Sequence, residues 1–279
     1  MAQTINTNLM SLNAQRNLAT NQASLATTMQ RLSSGLRVNS ARDDAAGLAI
    51  AERMQAQVRG MNVAVRNAND AVSLAQTAEG ALGRISDNLQ RMREIAVQSA
   101  NATNSSADRG NLDLEYQELA SEVQRVVENT VFNSSTYLLS ENATLTFQVG
   151  ANNTAVDQVD IATTNLKNGP GLSAVLAGDV TGDTSANALT AMDDLDTAIN
   201  EITTARAKFG ASANRFDSVI GALQTSSENA AASRGRIVDA DFAVETANLS
   251  RTQILSQAGS AMLAQANQMP QQVLSLLRF

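Results

Sequence analysis

The sequence predicts a mainly α protein. It reads as an elongated rod of long, coiled-coil-like helices with one small β-hairpin, its N- and C-terminal helices paired. Three observations carry that expectation. Apolar residues recur at alternating spacings of four and three over stretches far longer than a globular helix. Only 2 Pro and 15 Gly occur in 279 residues, too few for a loop-rich β protein. Aromatics make up 3% and Trp is absent, while Ala, Asn, Gln and Ser abound, which suits narrow seams between long helices.

The first element is a helix ending at Ser33-Ser34-Gly35, where Gly permits a left-handed cap. Ile5, Leu9, Leu12, Ala19, Ala23 and Ala26 form one stripe, and Leu18, Leu25, Met29 and Leu32 form a second. Two stripes imply two partners. A loop, Leu36 to Arg42, leads to Ser40 and Asp43, spaced as a helix cap with an acid three positions on. From there a helical pattern runs to about residue 100. Its seam is Met61, Val65, Ala68, Val72, Ala75, Leu82, Ile85, Leu89, Met92 and Ala96, with a slip near Glu79. Some 55 helical residues span roughly 80 Å, longer than a compact core is wide.

After a polar break at Asn101–Gly110, a helix carries Leu112, Tyr116, Leu119, Val123 and Val126 and ends near Asn129. Leu145, Phe147 and Val149, then Val159 and Ile161, alternate with polar residues around Asn152-Asn153, which predicts a β-hairpin. Asn168-Gly169-Pro170-Gly171, Gly178 and Gly182 read as a loop of low order. Heptads resume with Leu195, Ile199, Ile202, Phe209, Ala213, Phe216, Ile220 and Leu223, broken at Arg206. A terminal register follows: Leu255, Gly259, Met262, Ala266, Met269, Val273 and Leu276. The two terminal helices share a composition the middle lacks, so they are expected to pair.

Charge divides the chain in the same way. Residues 1–42 hold four Arg and no acid, and residues 246–279 hold two Arg and no acid. Residues 43–245 therefore carry all 27 acids and 14 of the 20 bases, a net of −13. Six bases over both ends are too sparse for a nucleic-acid footprint. Cys and His are absent, which excludes thiolate chemistry, Cys/His metal centres and imidazole catalysis. The acid pairs Asp43-Asp44, Asp193-Asp194 and Asp239/Asp241 stand without a His, a Cys or a phosphate loop, so they read as caps and turns. The Asn-x-Ser/Thr triplets at Asn101, Asn104 and Asn133 read as chance in an Asn- and Ser-rich chain. No cofactor, metal, catalytic residue or membrane insertion is expected. The N-terminus lacks the basic start and apolar run of a secretory signal, and composition alone gives a cytoplasmic default.

Long motifs at both ends resemble one family. Thr4-Ile5-Asn6-Thr7-Asn8, the run Arg31 to Gly47 (RLSSGLRVNSARDDAAG) and Arg66-Asn67-Ala68-Asn69-Asp70-Ala71 are similar to the N-terminal region of bacterial flagellin. Asp239-Ala240-Asp241-Phe242-Ala243, Leu249-Ser250 and Gln265 to Leu277 (QANQMPQQVLSLL) are similar to its C-terminus. The resemblance spans about residues 1–150 and 186–278. Large outer domains common in that family are replaced here by about forty residues, so the chain resembles a short form. Phe279 follows Arg278, where Arg or Gly is usual at the end.

The resemblance implies a structural subunit of the flagellar filament, made in the cytoplasm, exported unfolded by the flagellar type III apparatus and polymerised outside the cell for motility. It divides the chain into a polymerisation arm at 1–42, rod helices and hairpin at 43–164, a short variable insert at 165–188, a rod helix at 189–237 and a second arm at 238–279. Arm contacts fall to Ile5, Leu9, Leu12, Leu18, Leu25, Leu32, Leu255, Met262, Met269, Val273 and Leu276. Implied partners are copies of the chain itself, an export chaperone covering Leu274 and Leu277, hook-associated and cap proteins, and Toll-like receptor 5 of hosts. The receptor surface would comprise Gln90, Arg91, Ile95 and Glu115, with Arg91 and Ile95 on one outer ridge beside the Met92–Ala96 seam. The alternatives are a hook–filament junction protein, which the MPQQVLSLL ending disfavours, and a soluble helical adaptor, told apart by whether the chain forms tubes.

Overall fold

A computed structural model describes the backbone of residues 7–276 and the side chains of residues 7–269. The elements in order are α1 (Leu9–Ser34), α2 (Ala45–Ser99), α3 (Ser106–Asn129), β1 (Val131–Phe132), β2 (Thr136–Tyr137), β3 (Thr144–Gln148), β4 (Gln158–Ala162), α4 (Pro170–Ala177), α5 (Ala186–Val238) and α6 (Phe242–Leu276). They form two compact units, one drawn from Met1–Ala56 and Asn229–Phe279, the other from Gln57–Glu228. The long helices α2 and α5 contribute to both.

The Gln57–Glu228 unit holds one continuous apolar core. On α2 the main buried stripe is Ala64, Ala68, Ala71, Ala75, Ala78, Leu82, Ile85, Leu89, Met92, Ala96 and Ser99, an unbroken alternation of four and three, with Leu74 and Ile95 buried beside it. The slip expected near Glu79 does not occur, because Ala78 fills the position. The break expected at Arg206 is likewise absent: Ala188, Ala191, Leu195, Ala198, Ile202, Ala205 and Phe209 keep the register of α5. Arg206 instead points outward and binds Glu79 at 2.7 Å. With Arg93–Asp196 at 2.7 Å and Ser227 donating to Asn62 at 3.3 Å, that pair fixes α2 and α5 as antiparallel neighbours.

α3 begins at a reciprocal capping box between Ser105 and Asp108. It returns along α2, burying Tyr116, Ala120, Val123 and Val127. Arg109 is also buried, at 3% exposure. Its guanidinium donates to the carbonyls of Ser99 (2.9 Å), Gly182 (3.1 Å) and Asn101 (3.3 Å). It thereby serves the free carbonyl that ends α2.

The expected hairpin is β3–β4, antiparallel with Phe147 opposite Val159. Phe147 meets Phe216 of α5 edge to face at 5.6 Å. A second, shorter pairing, β1–β2, was not legible; its turn places Asn133 and Ser134 at positive φ. The segment read as a loop of low order contains α4. Pro170 starts it at N1, Leu172 and Val175 are fully buried, and the Glu201 carboxylate accepts from the Gly171 and Leu172 amides at 3.0 and 3.3 Å. A Cβ on Gly171 would come within 2.6 Å of the Ala198 backbone nitrogen, so α4 reaches α5 only because Gly stands there.

In the other unit, α1 and α6 form an antiparallel pair. Asn8 Nδ2 donates to Ala266 O at 2.7 Å and Ser11 Oγ to Asn267 Oδ1 at 2.8 Å; at the opposite end Arg31 meets Glu245 at 3.3 Å. Gly35 closes α1 in the left-handed region at φ 71°. The chain then bridges Leu36 to Asp239, and Arg37 N donates to Val238 O at 2.7 Å. The capping expected of Ser40 is reversed. Asp43 accepts from the Asn39 and Ser40 amides and the Ser40 hydroxyl, which holds its carboxyl below the usual range, and Asp44 accepts from Gly47 N at the start of α2. Asp241 caps α6 in the same manner through the amides of Ala243 and Val244.

Candidate functional site: the terminal helix pair and the Arg91 ridge

The inner seam of the α1–α6 pair mixes five partly covered leucines with polar and small residues, and the positions it buries fully are mostly polar. On α1 the inward heptad is Ser11, Ala14, Leu18, Asn21, Leu25, Thr28 and Leu32, of which Ser11 and Thr28 are buried and the rest partly covered. On α6 it is Glu245, Leu249, Thr252, Ser256, Gly259, Leu263 and Ala266, with Glu245, Thr252 and Ala266 buried. Leu18 lies over Gly259, where a Cβ would sit 3.3 Å from its Cδ1.

Ten other large apolar groups face outward. Leu9, Met10, Leu12 and Met29 on α1 are exposed, as are Phe242, Val244, Ile254, Leu255, Met262 and Met269 on α6. Exposure reaches 65% at Leu9, Ile254 and Met262. Such side chains each withhold about 1.5–3 kcal/mol of burial free energy. Ordering the two helices costs about 1–2 kcal/mol per residue in backbone entropy. Much of the pair's hydrophobic resource is therefore on its outside.

The expected arm residues therefore fall into two sets. Leu18, Leu25 and Leu32 turn toward the partner helix; Leu9, Leu12, Leu255, Met262 and Met269 turn away from it. The terminal register of α6 had merged the two, since Gly259 and Ala266 are inward and the residues seven apart at 255, 262 and 269 are outward. Ile5, Val273, Leu274, Leu276, Leu277 and Phe279 lie outside the residues whose side chains are described.

On the other unit, α2 and α3 bring Arg91 and Glu115 together. Arg91 donates through Nε to Glu115 Oε1 at 2.9 Å and through Nη1 to Glu94 Oε2 at 2.9 Å. The Glu115 bond, then the Glu94 bond, push the guanidinium pKa up, so it stays charged. The two side chains remain about half exposed, and Gln90 is exposed beside them. Ile95 is not on this ridge. It is 1% exposed, part of the core with Met92 and Ala96, because it lies three residues from Met92 on the buried side of the helix. The exposed residue three on from Glu94 is Val97, and Leu114 stands 68% exposed next to Glu115. Leu114 was detectable in the sequence: it lies two residues from both Leu112 and Tyr116, off their register.

The acid pairs have structural work. Asp43, Asp44 and Asp241 cap turns and helices as described, and among the described residues no group of three or more acids is placed to hold a metal ion. No described helix is long and apolar enough to cross a membrane. Two open surface hollows of about 240 and 420 Å³ lie beside the Glu128–Lys167 pair and beside Arg84 and Arg125.

Comparison with known proteins places this arrangement. Residues 5–144 match the bacterial flagellin N-terminal helical region, and residues 192–277 match the bacterial flagellin C-terminal helical region. The flagellin of Halalkalibacterium halodurans is 46% identical over 274 residues, covering 98% of this chain and 99% of that one. The flagellin of Bacillus subtilis strain 168 is 40% identical over 302 residues, with 98% and 99% covered. A crystal structure of Bacillus cereus flagellin shares 32% identity over 56% of this chain and 88% of its own, with a TM-score of 0.49. No large domain is inserted between the two matched regions, as expected of a short form. The chain belongs to the bacterial flagellin family, structural proteins of the extracellular flagellar filament.

Proposed function

We propose that the chain assembles into the filament through its two terminal helices, residues 1–42 and 238–279, which pair by a weak inner seam and present an apolar outer face to neighbouring copies. The observation that carries this is the apolar surface the α1–α6 pair leaves uncovered: polar Ser11, Thr28, Glu245 and Thr252 are buried inside, while Leu9, Met10, Leu12, Ile254, Leu255, Met262 and Met269 are exposed outside. A monomer cannot bury that face, and an open, head-to-tail contact between copies builds a filament. Residues 43–164 and 189–237 serve as the body around the core of the Gln57–Glu228 unit, and the short insert 165–188 adds Leu166, Leu172, Val175 and Val180 to that core. Before assembly the acid-free end, including Leu274 and Leu277, is covered by an export chaperone, and the subunit leaves unfolded through the flagellar type III apparatus. In the growing filament it adjoins hook-associated and cap proteins.

The free subunit is read by Toll-like receptor 5 at Gln90, Arg91 and Glu115. Support comes from the exposed Arg91–Glu115 pair and the neighbouring apolar Leu114. Ile95, being buried, is not part of this surface.

Deletion of residues 1–42 and 246–279 tests the central claim. The remaining chain is expected to be a folded, helical monomer that forms no filaments. The full-length protein is expected to form tubes and to gain helix on polymerisation, measured by circular dichroism with electron microscopy. Tubes from the truncated chain would refute the two-arm mechanism.

A further inference from the structure

The methionines are distributed unevenly. Four of the nine, Met10, Met29, Met262 and Met269, are 48–65% exposed, and all four lie on the outer face of the α1–α6 pair. In the Gln57–Glu228 unit Met92 is fully buried and Met61 and Met192 are partly covered. Met262 and Met269 are seven apart, one above the other on α6. Met10 lies at the same end of the pair, where Asn8 and Ser11 meet Ala266 and Asn267. Leu or Ile would supply the same apolar area without a reactive sulfur.

We propose that these four methionines are an oxidation site that switches the subunit between assembly-competent and assembly-incompetent forms, a reading that rests on the outer face being the filament contact. The reaction is two-electron oxidation by a peroxide. A sulfur lone pair attacks the terminal peroxide oxygen, the O–O bond breaks, and the thioether becomes a sulfoxide as hydrogen peroxide is reduced to water. The product is a far stronger polar acceptor than the thioether, on a surface that must be desolvated on assembly. One unsatisfied sulfoxide buried per contact raises the critical concentration for polymerisation about tenfold or more. Geometry also makes the site directional. The thioethers are open to solvent in the free subunit and closed once a neighbour covers them, so oxidant disables monomers and spares finished filament. Methionine sulfoxide reductases return the thioether, which makes the change reversible.

The test uses full-length protein with hydrogen peroxide as the probe. Monomer is treated, sulfoxides are located by peptide mass spectrometry, and the critical concentration is measured before treatment, after it, and after sulfoxide reductase. The expected result is oxidation at Met10, Met29, Met262 and Met269 with Met92 spared, a rise of about tenfold or more in critical concentration, and recovery on reduction. A variant with all four replaced by leucine, a volume-conserving change, is expected to lose the response to peroxide: its critical concentration after treatment equals its own untreated value, whatever that value is. The same peroxide applied to finished filament is expected to leave all four reduced. Unchanged polymerisation of monomer oxidised at all four positions would overturn the switch, as would an equal loss in the leucine variant. Failure of untreated protein to polymerise would instead overturn the filament-contact reading beneath it.

Discussion

Arg109 is the one guanidinium among the described residues that the core encloses, and its removal is expected to be costly out of proportion to its place in a single helix. Arg109→Met keeps the apolar stem and removes all three donors. The Ser99 carbonyl, on a fully buried residue at the end of α2, loses a 2.9 Å bond, and the half-buried Gly182 carbonyl loses one of 3.1 Å. Asn101 is exposed, so water replaces the third bond. Bonds from a charged donor are worth about 1.5–3 kcal/mol each. The two enclosed bonds thus give an expected loss of about 3–6 kcal/mol. At about 2–4 °C per kcal/mol for a unit of this size, Tm falls by roughly 6–24 °C in a circular dichroism melt. Arg109→Lys, a single point charge, is expected to fall between parent and Met variant. A Met variant melting within about 2 °C of the parent would show that the α2 terminus does not depend on this side chain.

Two further outcomes follow from the geometry. Replacing both Arg91 and Glu115 by Ala is expected to weaken Toll-like receptor 5 activation by monomer in reporter cells while leaving the melt nearly unchanged, since exposed pairs contribute little; parental signalling would remove the site assignment. Burial first, then the carboxylates of Asp194, Asp113 and Asp179, raise the Tyr116 phenol well above its ordinary value of 10.0. Its contribution to stability is therefore complete below pH 10.0 and is lost as pH rises beyond it, because the unfolded chain ionises first. In a Tyr137→Phe background, Tyr116→Phe is expected to hold its helix signal to higher pH, and an identical alkaline midpoint would refute the burial argument.

Large side chains made much of this architecture legible. Leu82, Ile85, Leu89 and Met92 announce the α2 seam, Phe209 and Phe216 that of α5, and the alternation around Phe147 and Ile161 announces the hairpin. Helix ends were visible where chemistry forces them, at Gly35 and near Asn129. Alanines were the blind spot. Ala78 and Ala205 sit in the core where the pattern shows only a gap, because a methyl group carries almost no periodic signal. α4 was hidden by its own glycine and proline, which read as a turn until the core supplies Leu172 and Val175 with partners. Ile95 was misplaced because α2 is covered on more than one side, so a residue off the main stripe still meets protein.

The sequence by itself determined that this chain is a set of long helices with acid-free ends, and its terminal motifs identified the family. Periodicity and composition are properties of one segment at a time, and they suffice for that. Tertiary structure alone decided which stripe of each terminal helix faces its partner. Hydrophobicity would have placed Leu9, Leu12, Leu255 and Met262 inside. The α1–α6 pair instead closes on Ser11, Thr28, Glu245 and Thr252 with Leu18, Leu25, Leu32, Leu249 and Leu263 beside them, because antiparallel register is fixed by Asn8, Ser11 and Arg31 against Ala266, Asn267 and Glu245. A helix with two usable faces carries no mark of which one its own chain will take.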